Sequence, residues 1–217
     1  MKKLFTTMFL LVVVTSCRAT PTETAPALPA ATDVVSVSPT VFLPDAAATT
    51  APLADDFFTQ NAIALPAPEC DGLTQSQTDG PYYTAGSPQR NILYEDGMPG
   101  TRLLLVGYVL DENCQPLANA WLDFWQADAT GEYDNAGYRL RGHQFTDAQG
   151  RYYLDTILPG LYQSRPIEHI HVKVKPDGGE EVTSQLYFPE QPVEGLTVTL
   201  EERDGYLVGY FNFIVQK

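Results

Sequence analysis

Between Leu103 and Val215 the chain is a series of short apolar or alternating runs separated by turn residues. The runs are Leu103–Leu110, Ala118–Gln126, Arg151–Leu154, Glu168–Lys175, Val182–Phe188, Leu196–Leu200 and Tyr206–Val215. Asp111-Glu112-Asn113 and Asp147-Ala148-Gln149-Gly150 are typical turn sequences between them. Strand-length runs at this regular spacing predict a β-sandwich or barrel. Seventeen Pro and sixteen Gly disfavour a helical bundle, and the sequence has no long helical period and no internal repeat. The expectation is an all-β, single-domain β-sandwich over residues 67–217, long enough to build one core.

The N-terminus reads as an address. Met1-Lys2-Lys3 is basic, and Leu4–Val14 is mostly apolar but too short to span a bilayer. Val14-Thr15-Ser16-Cys17 resembles a bacterial lipobox. Residues 1–16 are therefore expected to be a lipoprotein signal peptide and Cys17 the lipidated residue. An ordinary secretory signal with a chance cysteine is the alternative. Arg18 favours the outer membrane over inner-membrane retention. The predicted location is the bacterial cell envelope, at the outer membrane or cell surface, so the chain would be exported and not cytoplasmic. Its membrane contact would be the lipid anchor alone. Residues 17–66 are rich in Ala, Thr and Pro, with no Gly, no Lys and no sustained period. Such a tract reads as a disordered tether. Val34–Leu43 could form a brief strand or bind a partner, and Asp55–Phe58 marks the first docking onto the domain.

Charge narrows the partners. Thirteen basic against 27 acidic residues give a net charge of −14. Nucleic acid is a poor partner for such a surface, and so is an anionic membrane bound by charge alone. Setting Cys17 aside leaves Cys70 and Cys114, an even pair expected to form a disulfide in an oxidising compartment. The loop so closed would be worth up to about 4 kcal/mol.

The chemistry centres on Glu168-His169-Ile170-His171-Val172-Lys173-Val174. Strand period 2 places His169, His171 and Lys173 on one face and Ile170, Val172 and Val174 on the other. Two imidazoles at i and i+2 can share one metal, or each can simply be satisfied locally. Only three histidines exist, His143 being the third, so a histidine-rich copper or zinc site is hard to assemble. A cupin pattern would need a later His, which is lacking. Any metal must complete its shell with Asp, Glu or Tyr oxygen. Twelve tyrosines are available, and a phenolate is a hard donor suited to Fe(III), ionised only beside a highly charged cation.

Several motifs occur in order: Thr78-Asp79-Gly80-Pro81-Tyr82-Tyr83, Gly107-Tyr108-Val109-Leu110-Asp111, Phe124-Trp125-Gln126-Ala127-Asp128-Ala129-Thr130-Gly131-Glu132-Tyr133, Leu140-Arg141-Gly142, Thr156-Ile157-Leu158-Pro159-Gly160-Leu161-Tyr162, His169-Ile170-His171 and Ser184-Gln185-Leu186-Tyr187-Phe188. Together they resemble intradiol ring-cleavage dioxygenases from about Cys70 to Phe188. The resemblance implies a prealbumin-like β-sandwich and an Fe(III) cofactor held by Tyr133, Tyr162, His169 and His171, closed by hydroxide. It implies Tyr162 and His171 as axial ligands, and Tyr133 and His169 as equatorial ones. The implied reaction is O2-dependent cleavage of a catechol to a cis,cis-muconate-type diacid. Tyr162 would act as a base, Arg165 would stabilise negative charge and Gln185 would support the site.

The sequence departs from that pattern in places. Only six residues separate Tyr162 from His169, and the helical dimerisation region of catechol dioxygenases is lacking. The remaining polar and aromatic positions have plainer readings. Trp121 and Trp125 read as core, and His143 as a surface strand residue. Arg141 reads as paired with a carboxylate or bracing a turn, and Tyr82 and Tyr83 as lining a pocket mouth. The competing function is a non-catalytic β-sandwich module of the cell envelope. Oligomeric state is open.

Overall fold

The structure is a computed structural model and describes residues 56–162 and 165–217. The signal sequence, Cys17 and Val34–Leu43 lie outside the described residues. One short helix, α1 (Phe57–Gln60), precedes nine strands. These are β1 (Arg102–Leu110), β2 (Trp121–Trp125), β3 (Arg141–Phe145), β4 (Arg151–Ile157), β5 (His169–Lys175), β6 (Val182–Tyr187), β7 (Thr199–Arg203), β8 (Tyr206–Tyr210) and β9 (Phe213–Ile214).

They form two sheets, one ordered β4-β1-β8-β7 with β9 beside β1, the other β3-β2-β5-β6. The chain is therefore an all-β sandwich. β1 runs parallel to β8 and β9, and the other pairings are antiparallel. The core lies between the sheets. Ile170, Val172 and Val174 of β5 enter it with Leu122 and Phe124 of β2 and Leu103, Leu105 and Val109 of β1. Each such fully buried side chain contributes roughly 1.5–3 kcal/mol.

β1 is buried on both faces. Leu104 and Val106 meet a smaller apolar cluster with Phe58, Ile63 and Val208. Residues 56–63 thus pack on the sandwich upstream of residue 67, where docking was expected at Asp55–Phe58. Asp56 caps α1 by accepting from Thr59 N at 2.9 Å and pairs with Arg151 at 2.7 Å. Phe57 stacks on Tyr153 with ring centres 3.5 Å apart. These aromatic anchors give the end of the Ala/Thr/Pro tract enough apolar surface to dock.

Three strand readings need correction. β3 was not among the expected strand runs, although His143 was read as a strand residue, because Arg-Gly-His-Gln-Phe has no apolar alternation. It is a strand because it pairs with β2 and because Gly142 lets Arg90 O approach to 2.6 Å of where a Cβ would stand. The run Tyr206–Val215 divides into β8 and β9. Between them Phe211 N donates to Val106 O, and Asn212 Oδ1 replaces a backbone acceptor for Tyr108 N. β7 begins at Thr199 rather than Leu196, since Thr197 instead bridges to Tyr187.

The outer face of the sheet β3-β2-β5-β6 is covered by residues 74–93, which cross its strands in spatial order. Gln77 N donates to Thr183 O of β6, and Ser184 Oγ to Gln75 O. Lys173 Nζ of β5 reaches Asp79 at 3.1 Å. Tyr83 and Ser87 hydroxyls both donate to Asp123 of β2. Arg90 N donates to His143 O of β3, and Leu93 N to Asp155 O of β4. This strap turns the polar face into an interior, with His169, His171, Lys173 and Asp123 all buried. Cys70 and Cys114 form a disulfide with Cα atoms 6.0 Å apart, tying the segment that leads into the strap to the turn after β1.

Candidate metal centre

The two tyrosines sit on loops that interlock. Tyr133 follows β2 in a turn organised by Asp128, whose Oδ1 accepts from Thr130 N, Thr130 Oγ1 and Glu132 N. Tyr162 follows β4. Gly131 (φ +85°) lies where a Cβ would be 2.1 Å from Leu161 O, and Gly160 where a Cβ would be 2.3 Å from Ala129 O. Each loop thus needs a glycine to pass the other's backbone. Gly160 N donates to Asp128 O at 2.8 Å. At the loop bases, buried Gln126 donates to Ile157 O and accepts from Thr156 Oγ1.

The imidazoles come from β5. Ring centres of His169 and His171 are 4.8 Å apart. Tyr133 and Tyr162 are separated by 5.8 Å, Tyr162 and His169 by 5.9 Å, and Tyr133 and His171 by 6.3 Å. The structure therefore brings the four expected donors together. His169 Nδ1 lies 2.7 Å from Ile167 O, which fixes the proton there and leaves Nε2 as a lone-pair donor, 3.5 Å from Tyr133 Oη. His171 stacks on Trp125 at 4.7 Å, and its Nδ1 is buried without a hydrogen-bond partner. Gly80 of the strap covers its edge, where a Cβ would be 3.3 Å from Cε1.

Burial lowers the pKa of His169 to about 4, against a smaller rise from its bond to Ile167 O. Burial, with smaller help from neighbouring His169, lowers His171 to about 2. Both rings are neutral at physiological pH, the form that ligates a metal. Burial also raises the pKa of Tyr133 and Tyr162. Both phenols stay protonated unless a multivalent cation stabilises their anions. Among the described residues, no group of three or more His, Cys, Asp or Glu is arranged to hold a metal. The donor set is complete only when tyrosine is counted. Two neutral imidazoles and two phenols, one buried imidazole nitrogen lacking a partner, fit a hard trivalent ion such as Fe(III).

Arg165 sits beside Tyr162, its N–H donating to Tyr162 O and its Nη2 to Tyr187 Oη at 2.8 Å. Gln185 is fully buried opposite His171 in the β5–β6 register. Its Nε2 donates to Thr78 O, and its Oε1 accepts from Tyr187 Oη. Tyr187 is thus the link between Arg165 and Gln185. The sequence reading gave it no role, although its place opposite His169 follows from the same strand pairing. Tyr82 stacks on Tyr133 at 4.4 Å and forms a wall of the site, whereas Tyr83 turns away to Asp123. Trp125 is buried as expected but also lies against a candidate ligand. His143 is partly buried, its Nδ1 within 3.2 Å of Ser87 Oγ. Arg141 has no carboxylate partner among the described residues and bonds only to the carbonyls of Tyr82 and Asp134. A groove of about 700 Å³ lies elsewhere, lined by Leu65, Leu73, Val106, Val193 and Phe211 among others.

The fold and this cluster were compared with known proteins. The family model described as "Dioxygenase" matches residues 78–198, more than half of the chain. The chain belongs to the intradiol ring-cleavage dioxygenase family. It is 29% identical over 161 residues to catechol 1,2-dioxygenase 2 of Acinetobacter lwoffii, covering 62% of this chain and 58% of that protein. It is 35% identical over 118 residues to the protocatechuate 3,4-dioxygenase beta chain of Burkholderia cepacia, covering 46% and 50%. The chain therefore spans between half and three-fifths of these curated relatives. Among solved structures it resembles the dioxygenase domain of a dioxygenase–carbohydrate-binding fusion from Streptomyces sp. SirexAA-E. That match has a TM-score of 0.65 and 40% identity over 67% of this chain and 99% of the other.

Proposed function

We propose that this chain is an Fe(III)-dependent intradiol dioxygenase that cleaves a catechol-type aromatic with O2 to a cis,cis-muconate-type dicarboxylic acid. The observation that carries the reading is the convergence of two neutral imidazoles and two phenols in a chain of this family. Tyr133, Tyr162, His169 and His171 would hold the ion. When bound, Fe(III) supplies the Lewis acidity that ionises both phenols and draws electron density from a chelated catechol ring. Tyr162 Oη is the base for a substrate hydroxyl proton. The Arg165 guanidinium beside it meets the negative charge that develops, held in place by Tyr187. Gln185, fixed to Thr78 O and Tyr187, keeps the wall opposite His171 rigid. One catechol and one O2 give one diacid, both oxygen atoms being retained and no external reductant consumed.

The same reading places the protein in the cell envelope, anchored by a lipid on Cys17 after removal of residues 1–16. Residues from 17 to about 55 would serve as its tether. The Cys70–Cys114 disulfide supports an oxidising compartment. Incorporation of labelled fatty acid that is lost in Cys17→Ala tests this part.

The purified protein is expected to carry one iron per chain and a visible tyrosinate charge-transfer band that shifts on adding catechol. It is expected to consume one O2 per diacid formed. A colourless protein that stays colourless after Fe(III) loading would overturn the donor assignment. A coloured protein that binds catechols without O2 uptake would favour the binding-module reading.

A further inference from the structure

β3 and β4 are terminal strands of opposite sheets, joined by the turn Asp147-Ala148-Gln149-Gly150. A cleft of about 230 Å³ lies beside them, with α1 as a further wall. None of the four candidate metal donors lines it. Its lining is largely aromatic: Phe57 and Phe58 of α1, Phe145 of β3, and Tyr152 and Tyr153 of β4. Phe58 stands edge-on to the stacked Phe57 and Tyr153, and Phe145 is exposed.

One polar side chain of the lining is unaccounted for. Gln144 stands opposite Leu122 of β2, on the core face of the sheet, and is 6% exposed. Its Nε2 is buried without a hydrogen-bond partner. A buried amide donor left unpaired is costly, whereas an apolar side chain at this position would carry no such cost. The charged groups of the lining are spent on one another. Arg151 donates from Nε to Asp147 and from Nη2 to Asp56, both at 2.7 Å. Two carboxylates to one guanidinium disfavour an anionic guest.

The geometry points to a second small-molecule site in this cleft, for a neutral single-ring aromatic that carries an acceptor oxygen. The ring packs among the aromatic side chains, and the oxygen accepts from Gln144 Nε2. The volume suits one ring, since an apolar cavity of about 150 Å³ already holds benzene. Because α1 forms one wall, the occupant bridges the end of the tether and the edge of the sandwich and holds α1 in place. The site is independent of the metal and of the proposed reaction.

The test titrates the full chain with acetophenone, ethylbenzene and benzoate, followed by ligand-observed NMR and by protease cleavage near residues 56–63. The three probes share a ring and differ in carrying a neutral carbonyl, no acceptor or an anionic carboxylate. Acetophenone is expected to bind in about the millimolar range, roughly fivefold tighter than ethylbenzene, with nuclear Overhauser contacts to Phe145, and to slow the cleavage. Benzoate is expected not to displace it. Gln144→Leu removes the donor at similar size and is expected to weaken acetophenone roughly fivefold while leaving ethylbenzene unchanged. No acetophenone binding, contacts that lie away from Phe145, unaltered cleavage on binding, displacement by benzoate, or equal acetophenone affinity in wild type and folded Gln144→Leu would each overturn the inference. If Gln144→Leu does not fold, the wild type decides: a preference for acetophenone over ethylbenzene supports the site, and equal affinity overturns it.

Discussion

Replacing Gly131 with alanine tests whether the two tyrosine loops are locked together by backbone contact. Gly131 has φ +85°, and its added Cβ would stand 2.1 Å from Leu161 O, 2.7 Å from Leu161 C and 3.2 Å from Tyr162 Cβ. An ordinary contact needs more than 3 Å, so the loops must part by about 1 Å. Tyr133 lies two residues after Gly131, and Tyr162 follows Leu161 directly. The displacement therefore reaches both phenols with little chain to absorb it. A misplacement of about 1 Å at a reacting centre costs on the order of 100-fold in rate. The left-handed backbone adds about 1–2 kcal/mol of strain in any L-residue. Gly178→Ala supplies the control, since Gly178 has φ +74° and nothing within 4 Å of its Cβ position. Both variants should lose stability from backbone strain in chemical denaturation, Gly131→Ala more because of its added clash. Only Gly131→Ala should lose iron and turnover. If Gly131→Ala matches Gly178→Ala in both stability and iron content, the interlock does not position the donors.

Three further outcomes follow from other parts of the structure. Cys70→Ser should lower stability by up to about 4 kcal/mol in urea, given a sequence separation of 44, and reduction of the wild type should reproduce the loss. Asp56 has its pKa lowered to about 2 by its bond from Thr59 N and then by Arg151. A depressed carboxylate stabilises the fold above its unfolded pKa near 4 and loses that contribution as pH falls towards 2. Docking of α1, followed by proteolysis near residues 56–63, should therefore survive to about pH 4 and fail towards pH 2, and Asp56→Asn should remove that pH dependence. Tyr187→Phe should reduce kcat more than KM, because it frees both Arg165 and Gln185 while leaving the four donors in place; equal effects on a donor-free readout such as unfolding midpoint would mark Tyr187 as merely structural.

Much of the sandwich was legible because its strands obey a simple rule. In β5 every second residue is Ile or Val, and those residues enter the core as the alternation requires. The other face was harder to read. His169, His171 and Lys173 looked like residues directed into some separate space, and alternation alone could not say what closes it. The answer is residues 74–93, which carry little secondary structure and therefore no period. β3 escaped notice for a related reason: its pairing depends on neighbours in space, and Arg141-Gly142-His143-Gln144-Phe145 carries no pattern of its own. The four expected donors, which the structure brings together, were picked out through family motifs, whereas Tyr187 and Tyr82 depend on strand register and strap path. Of the two readings left open for Arg141, the structure favours the bracing of a turn, since it bonds to Asp134 O while the Asp134 carboxylate accepts from its own turn.

The strap explains how one sheet face can serve as a reactive interior. Three side chains from three strands of the sheet grip it by different chemistry: Gln185 of β6 donates to Thr78 O, Lys173 of β5 pairs with Asp79, and Arg141 of β3 donates to Tyr82 O. Between these points lie Gly80, seated on His171, and Tyr82, stacked on Tyr133. The grips cost the sheet face its exposure to water, and that burial, with the nearby charge of Arg165, leaves the imidazoles neutral. A polar face left open would have solvated His169 and His171 and let them protonate in mild acid. The cover lowers their pKa by burial and so keeps them competent to bind a metal. Keeping the imidazoles neutral and closing the sandwich are in this sense one structural problem, solved by the same residues.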